Sequence, residues 1–182
     1  MIEQRPEEVI LVDENDRPLG TMEKMEAHRK ALLHRAFSIF IFNQNGEMLL
    51  QQRAHQKYHS AGLWTNACCS HPRPGEATLE AATRRLKEEL GFTTHLEKIF
   101  DFTYKSEFEN GLTEFEFDHV FVGAYDDLVL PNKDEVCAYC YKSLDEVGAA
   151  LQSNPVSYTS WFHLAFPRIK EWAVHNRAEA RL

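Results

Sequence analysis

The strongest apolar run in the chain is Arg35–Phe42 (RAFSIFIF), rich in the aromatic and β-branched residues that favour a strand. Asn43-Gln44-Asn45-Gly46 follows with the residues of a hairpin turn, and Glu47–Arg53 reads as the return strand. Before this pair, Glu8–Val12 predicts a short strand. Asp13–Gly20 predicts a turn region marked by Pro18 and Gly20, and Thr21–Arg29 a polar, helical or irregular stretch. After it, His55–Gly62 is a polar loop and Trp64–His71 is extended, broken by Pro72-Arg73-Pro74-Gly75. Thr78–Leu90 predicts a helix stopped by Gly91. Leu96–Lys105, Glu114–Tyr125 and Glu135–Tyr141 are further strands, and Leu144–Gln152 and Trp161–Asn176 further helices. Strands and helices mix without strict alternation, which points to an α/β fold of the mixed (α+β) kind, not a strictly alternating parallel one.

Composition narrows the picture. With 182 residues and 43% hydrophobic content the chain can bury one ordinary core, so a single domain over residues 1–182 is expected. A net charge of -8 argues against a general nucleic-acid surface. An anionic ligand must then be met by a local cluster of Lys and Arg. No apolar run approaches the roughly 18 residues of a membrane span. Met1–Glu8 is polar and acidic, without the apolar core of a secretory signal. Four cysteines are few for a disulfide scaffold, and a reducing cytoplasm is the expected setting.

Candidate chemistry falls into five groups. On the Thr78–Leu90 helix, Arg84 with Glu88 and Arg85 with Glu89 are four apart and share faces. His28, His34 and His71 lack local zinc-finger spacing. With Glu114 and Glu116, whose alternation on a strand puts both carboxylates on one face and Phe115 on the other, they would make a nitrogen and oxygen shell for a divalent metal. Cys68 and Cys69 are adjacent on extended chain, so one should pack in the core while the other, sharing a face with His71, can face a site. Lys24, Arg53, Lys57 and Arg85 could bind a diphosphate as a group. Cys137 and Cys140 lie an odd spacing apart on a strand and read as structural thiols.

Two resemblances gather these residues. From Ser70 through Glu76 to Arg84-Arg85-Leu86-Lys87-Glu88-Glu89-Leu90-Gly91-Phe92, the spacing resembles the Nudix box, G-x5-E-x7-R-E-U-x-E-E-x-G-U with U aliphatic or aromatic. Ser70 replaces its first Gly. Arg85 replaces the Glu that follows its Arg, so a metal-holding carboxylate gives way to a cation suited to gripping a diphosphate. More specifically, the chain resembles the type I isopentenyl-diphosphate isomerases. The matching stretches are Met22-Glu23-Lys24 to His28, Leu33 to Ser38, Gln52-Arg53-Ala54, Lys57, Gly62 to Asn66, Cys69-Ser70-His71-Pro72, Arg84-Arg85, Tyr104, Glu114-Phe115-Glu116 and Trp161. That resemblance implies a Nudix-like mixed sheet sandwiched between helices and the conversion of isopentenyl to dimethylallyl diphosphate through a tertiary carbocation. By resemblance, Cys69 and Glu116 are the proton-transfer pair, Tyr104 tunes the acid, and Trp161 offers its π-face to the cation. His28, His34, His71, Glu114 and Glu116 hold one divalent metal (Mn2+, Zn2+ or Mg2+). Glu89 and a Mg2+ bridge to the diphosphate, which Lys24, Arg53, Lys57 and Arg85 neutralise. The implied partner is a small-molecule diphosphate, with no nucleic acid or membrane, and the expected state is a monomer.

Overall fold

Strand β3 is the axis of the sheet, and the other elements are placed by what they do to its two edges and two faces. The computed structural model describes residues 7–179, with side chains to residue 176; the polar segment 1–6 lies outside the described residues. In chain order the elements are β1 (Glu8–Val12), β2 (Pro18–Glu23), α1 (Lys24–Arg29), β3 (His34–Phe42), β4 (Met48–Arg53), β5 (Trp64–Thr65) and β6 (Cys68–Ser70). Then come α2 (Thr78–Leu90), β7 (Glu97–Glu107), β8 (Thr113–Ala124), β9 (Val136–Lys142), α3 (Leu144–Ser153), a 3-10 turn at Pro155–Ser157 and α4 (Ser160–Glu179).

Along one edge β3 pairs in parallel with β8, from His34 opposite Glu116 to Phe42 opposite Ala124. A parallel pair needs a long crossover, and β4, β5, β6, α2 and β7 lie within it. The other edge is shared by β6, antiparallel from Phe37–Ser70 to Ile39–Cys68, and by β1 at Leu11–His34. Outside these, β2 pairs with β1 and β7 with β8. β4 then turns away to pair with β9 and β5.

Two expectations change here. The turn at Asn43–Gly46 forms, with Asn43 Oδ1 accepting from the amides of Asn45 and Glu47. The strands it joins are no ladder: β3 and β4 meet only at Phe42–Met48, because β8 and β6 already occupy both edges of β3. Pro18–Gly20, expected as turn, is the start of β2. The turn lies earlier, where Asp13 Oδ1 accepts from Asn15 and Arg17 and Asp16 takes φ +61°. Pro18 is tolerated because it opens an outer strand, where its missing donor is not needed. The stretch after it stays extended to Glu23, whose carboxylate caps α1 by accepting from the amides of Met25 and Glu26.

Alternation along β3 splits the core. Phe37, Ile39 and Ile41 pack with Ala82, Leu86 and Leu90 of α2. Phe40, on the opposite face, packs with Phe162, Ala165 and Ile169 of α4. The mixed sheet is therefore sandwiched between helices, as expected from the sequence. No described helix is long and apolar enough to cross a membrane.

α2 ends at Gly91, which has φ +82° and whose backbone abuts Leu130: a Cβ there would lie 2.6 Å from the Leu130 carbonyl oxygen. Gly75 has a similar φ of +79° with open space around it. Both Gly→Ala variants suffer the left-handed strain of about 1–2 kcal/mol, and Gly91→Ala adds a backbone clash. Urea denaturation should therefore show Gly91→Ala clearly the less stable; equal midpoints would remove the Leu130 contact as a constraint.

Candidate active site

α1, the start of β3, the residue just after β6, and β8 bring four donors together. His28 Nε2 lies 3.2 Å from His34 Nε2, and Glu116 Oε1 lies 2.9 Å from His71 Nε2 and 3.5 Å from His34 Nε2. One ligand atom from each of His28, His34, His71 and Glu116 lies within 4.8 Å of all the others. Ligands bound at about 2.0–2.1 Å sit roughly 3 Å or more from one another, which is the packing seen here. Orientation agrees with chemistry. His34 Nδ1 lies 2.8 Å from the Leu32 carbonyl oxygen, which only accepts, so Nδ1 carries a proton and Nε2 is the nitrogen turned toward the cluster. Burial, then neighbouring His71 and His34, pushes the His28 pKa down to about 3, leaving a neutral imidazole. The donor set fits a divalent metal.

The carboxylates come from one face of β8. Glu114, Glu116 and Asp118 are all buried, at alternate positions. Tyr104 Oη is 2.6 Å from Glu116 Oε2 and 3.2 Å from Glu114 Oε2, and its single hydrogen favours the nearer. Glu114 stands beside the four-donor group, held by His59 Nε2 at 2.9 Å. Burial, then the charge of Glu116, raises Glu114. Glu116 is also pushed up by burial, but the hydrogen bonds from His34 and His71 outweigh it and hold this carboxyl well below its ordinary range. Asp118 accepts from Ser38 Oγ at 2.7 Å, while its Oδ1 has no hydrogen-bond partner.

The adjacent cysteines face opposite ways. Cys68 is fully buried against α2, whereas Cys69 lines the same cavity as Glu116, Tyr104 and Trp161. Cys69 Sγ donates to Asn66 Oδ1 at 3.1 Å and lies 3.4 Å from Ser38 Oγ. Burial, then the charge of Asp118, pushes the thiol far up. Trp161 opens α4, buried, with the Arg53 guanidinium 5.3 Å from its ring centroid. Cys137 hydrogen-bonds to strand carbonyls and Cys140 packs on the α4 side, so neither belongs to the site.

The basic residues reach the cavity, but three of the four arrive with partners. Lys24 is paired with Glu7 and Lys57 with Glu135. Arg85 meets Glu89 at 2.6 Å, Glu88 at 2.8 Å and Glu135 at 3.1 Å. Among the described residues Arg53 pairs with no carboxylate; it donates to the His59 carbonyl. Glu89 also accepts from Gln51 Nε2 at 3.0 Å, and Arg84 binds Glu76. The cavity measures about 500 Å³, and its described lining includes six carboxylates and six Lys or Arg side chains. By formal charge the two sets are equal in number. His59, Asp118, Glu135 and Glu7 were not singled out from the sequence. Continuing the alternation Glu114, Glu116 to Asp118 would have found one of them; nothing local marks the other three.

The fold and site define the class. A family model described as NUDIX domain matches residues 32–162. A solved protein of Deinococcus radiodurans superposes with a TM-score of 0.74 at 19% identity, over 89% of this chain and 98% of its own. This is a Nudix-fold protein. Curated relatives narrow it further. The isopentenyl-diphosphate Delta-isomerase of Pectobacterium atrosepticum is 51% identical over 96% of this chain and 98% of its own length. That of Burkholderia multivorans is 47% identical over 94% and 98%. The chain belongs to the isopentenyl-diphosphate Delta-isomerase family.

Since the four donors converge on one point, replacing one should release the metal. Elemental analysis of purified His71→Ala is expected to show metal content falling together with turnover, a loss on the order of 10–100-fold in affinity or more. Full occupancy would remove His71 from the shell.

Proposed function

We propose that the chain converts isopentenyl diphosphate into dimethylallyl diphosphate. A proton is added to the terminal alkene carbon and another is lost from the carbon on the far side of the resulting tertiary cation, so the bond to the diphosphate is never broken. The observation that carries this reading is the shared cavity: Cys69 and Glu116 line it together with Trp161, on strands that flank β3 on opposite edges. One of the pair gives the proton and the other takes one. Tyr104 donates its hydrogen to Glu116, and Asn66 and Ser38 hold the sulfur of Cys69. Trp161 presents a face that stabilises positive charge and offers no atom for it to bond to.

His28, His34, His71 and Glu116 would hold a divalent metal (Mn2+, Zn2+ or Mg2+), with Glu114 beside them to complete the shell. Such an ion supplies positive charge that tunes the Glu116 carboxyl when bound. Lys24, Arg53, Lys57 and Arg85 grip the diphosphate. Glu89 would hold a Mg2+, which would supply further positive charge to the diphosphate. The protein acts as a monomeric single domain in the cytoplasm, without nucleic-acid or membrane partners.

With isopentenyl diphosphate and Mg2+, NMR should report dimethylallyl diphosphate, a phosphate assay on the same sample should stay at background, and in deuterated water a product methyl group should gain label. Phosphate release without the isomer would overturn the reading in favour of a hydrolase. Opposed facing of the cysteines adds a second test. Cys69→Ala should lose roughly 10²–10⁴-fold in turnover, the usual weight of a positioned proton donor or acceptor. Cys68→Ala should chiefly lower the melting temperature. Comparable losses of turnover would refute the facing.

A further inference from the structure

Two cavities meet at His59. It lines the catalytic cavity of about 500 Å³ and also a neighbouring one of about 830 Å³, and among the described residues it is the only side chain common to both. The second cavity is walled in part by Leu63, Phe108, Pro155, Val156 and Tyr158, an apolar set. The ring between them is pinned. It stacks on Phe108 at 4.5 Å between centroids and 17° between planes, and meets Trp161 edge-on at 6.0 Å and 89°. Nε2 lies 2.9 Å from Glu114 and Nδ1 3.2 Å from Ser60 Oγ, and only 3% of the side chain is exposed.

We propose that His59 is a specificity-determining residue whose imidazole is the partition limiting the hydrocarbon end of the substrate to five carbons. This rests on the reaction proposed above. In that reaction the alkene lies against Trp161, and the group that meets Trp161 edge-on is His59. A longer branch on the alkene would run into a ring that Phe108, Glu114 and Ser60 hold in place. Behind the ring lies space whose walls include Leu63, Phe108, Pro155 and Tyr158, apolar surface that suits additional methylene groups, beside polar Ser106, Glu107 and Asn110. Removing the ring joins the two spaces. The added length takes no part in the proton transfers, so the same addition and loss of a proton applies to every homologue.

The test uses a series of 3-alkylbut-3-enyl diphosphates, the alkyl group running from methyl to pentyl, with kcat/KM for isomerisation measured relative to the methyl compound. The wild-type ratio should fall steeply beyond methyl. In His59→Ala the pentyl-to-methyl ratio should rise at least about ten-fold, the lower end of what one methylene is worth in a fitted pocket. His59→Asn, smaller than His but still polar toward Glu114, should move the ratio the same way and serves if the Ala variant does not fold. His59→Phe keeps the partition but loses the Glu114 hydrogen bond; it should hold the wild-type ratio even where overall turnover drops. An unchanged ratio in the small variants, or the same rise in His59→Phe, overturns the partition. A wild-type protein inert toward the methyl compound overturns the proposed reaction itself, and the partition with it.

Discussion

His34 and Glu116 are partners in the parallel ladder between β3 and β8, and that register fixes the position of everything else in the site. Side chains alternate along a strand, so a slip of one residue would turn Glu114, Glu116 and Asp118 to the other face and break the meeting with His34. The register is protected by the core: Phe37, Ile39 and Ile41 must point to α2 and Phe40 to α4. Hydrophobic packing at the centre of the sheet thus sets the geometry of polar groups at its end. β6, on the opposite edge of β3, brings Cys69 beside Ser38 under the same constraint.

Three buried carboxylates on one strand face repel one another, and each is relieved differently. Glu116 takes hydrogen bonds from His71 and Tyr104, Glu114 from His59, and Asp118 from a serine. Burial raises Asp118 beyond what the Ser38 hydrogen bond recovers. The basic side of the cavity is solved in the same way, with Glu7, Glu89 and Glu135 holding the cations in place. Such pairing keeps long flexible side chains oriented, while the charge is left close to balance.

Much of this was legible in the chain because it is local. Thr78–Leu90 has helical spacing and a terminal glycine, and the helix observed has those bounds. Alternation separated Cys68 from Cys69 and put Glu114 with Glu116, and these facings recur in the structure. What was not legible depends on contacts distant in sequence. Nothing near Asn43–Gly46 tells that β3 will take β8 and β6 instead of β4. His59 sits in a polar loop whose composition suggests exposure, yet it is buried by Phe108 and Trp161, residues far along the chain. Lys57 and Arg85 were grouped from the sequence as cations for a diphosphate, and only folding brings Glu135 to both.

The surroundings of Cys69 have a bearing on how the protein ages. Ser38 commits its hydrogen to Asp118, and the Asn66 amide commits its hydrogens to the carbonyls of Ile39 and Cys68. Burial of the sulfur, then the charge of Asp118, disfavours its negative form. Peroxide and alkylating agents attack sulfur through that form. The residue on which turnover is proposed to depend is thereby one of the less oxidisable kind, and its resistance to air and electrophiles comes from the same burial that places it in the cavity wall.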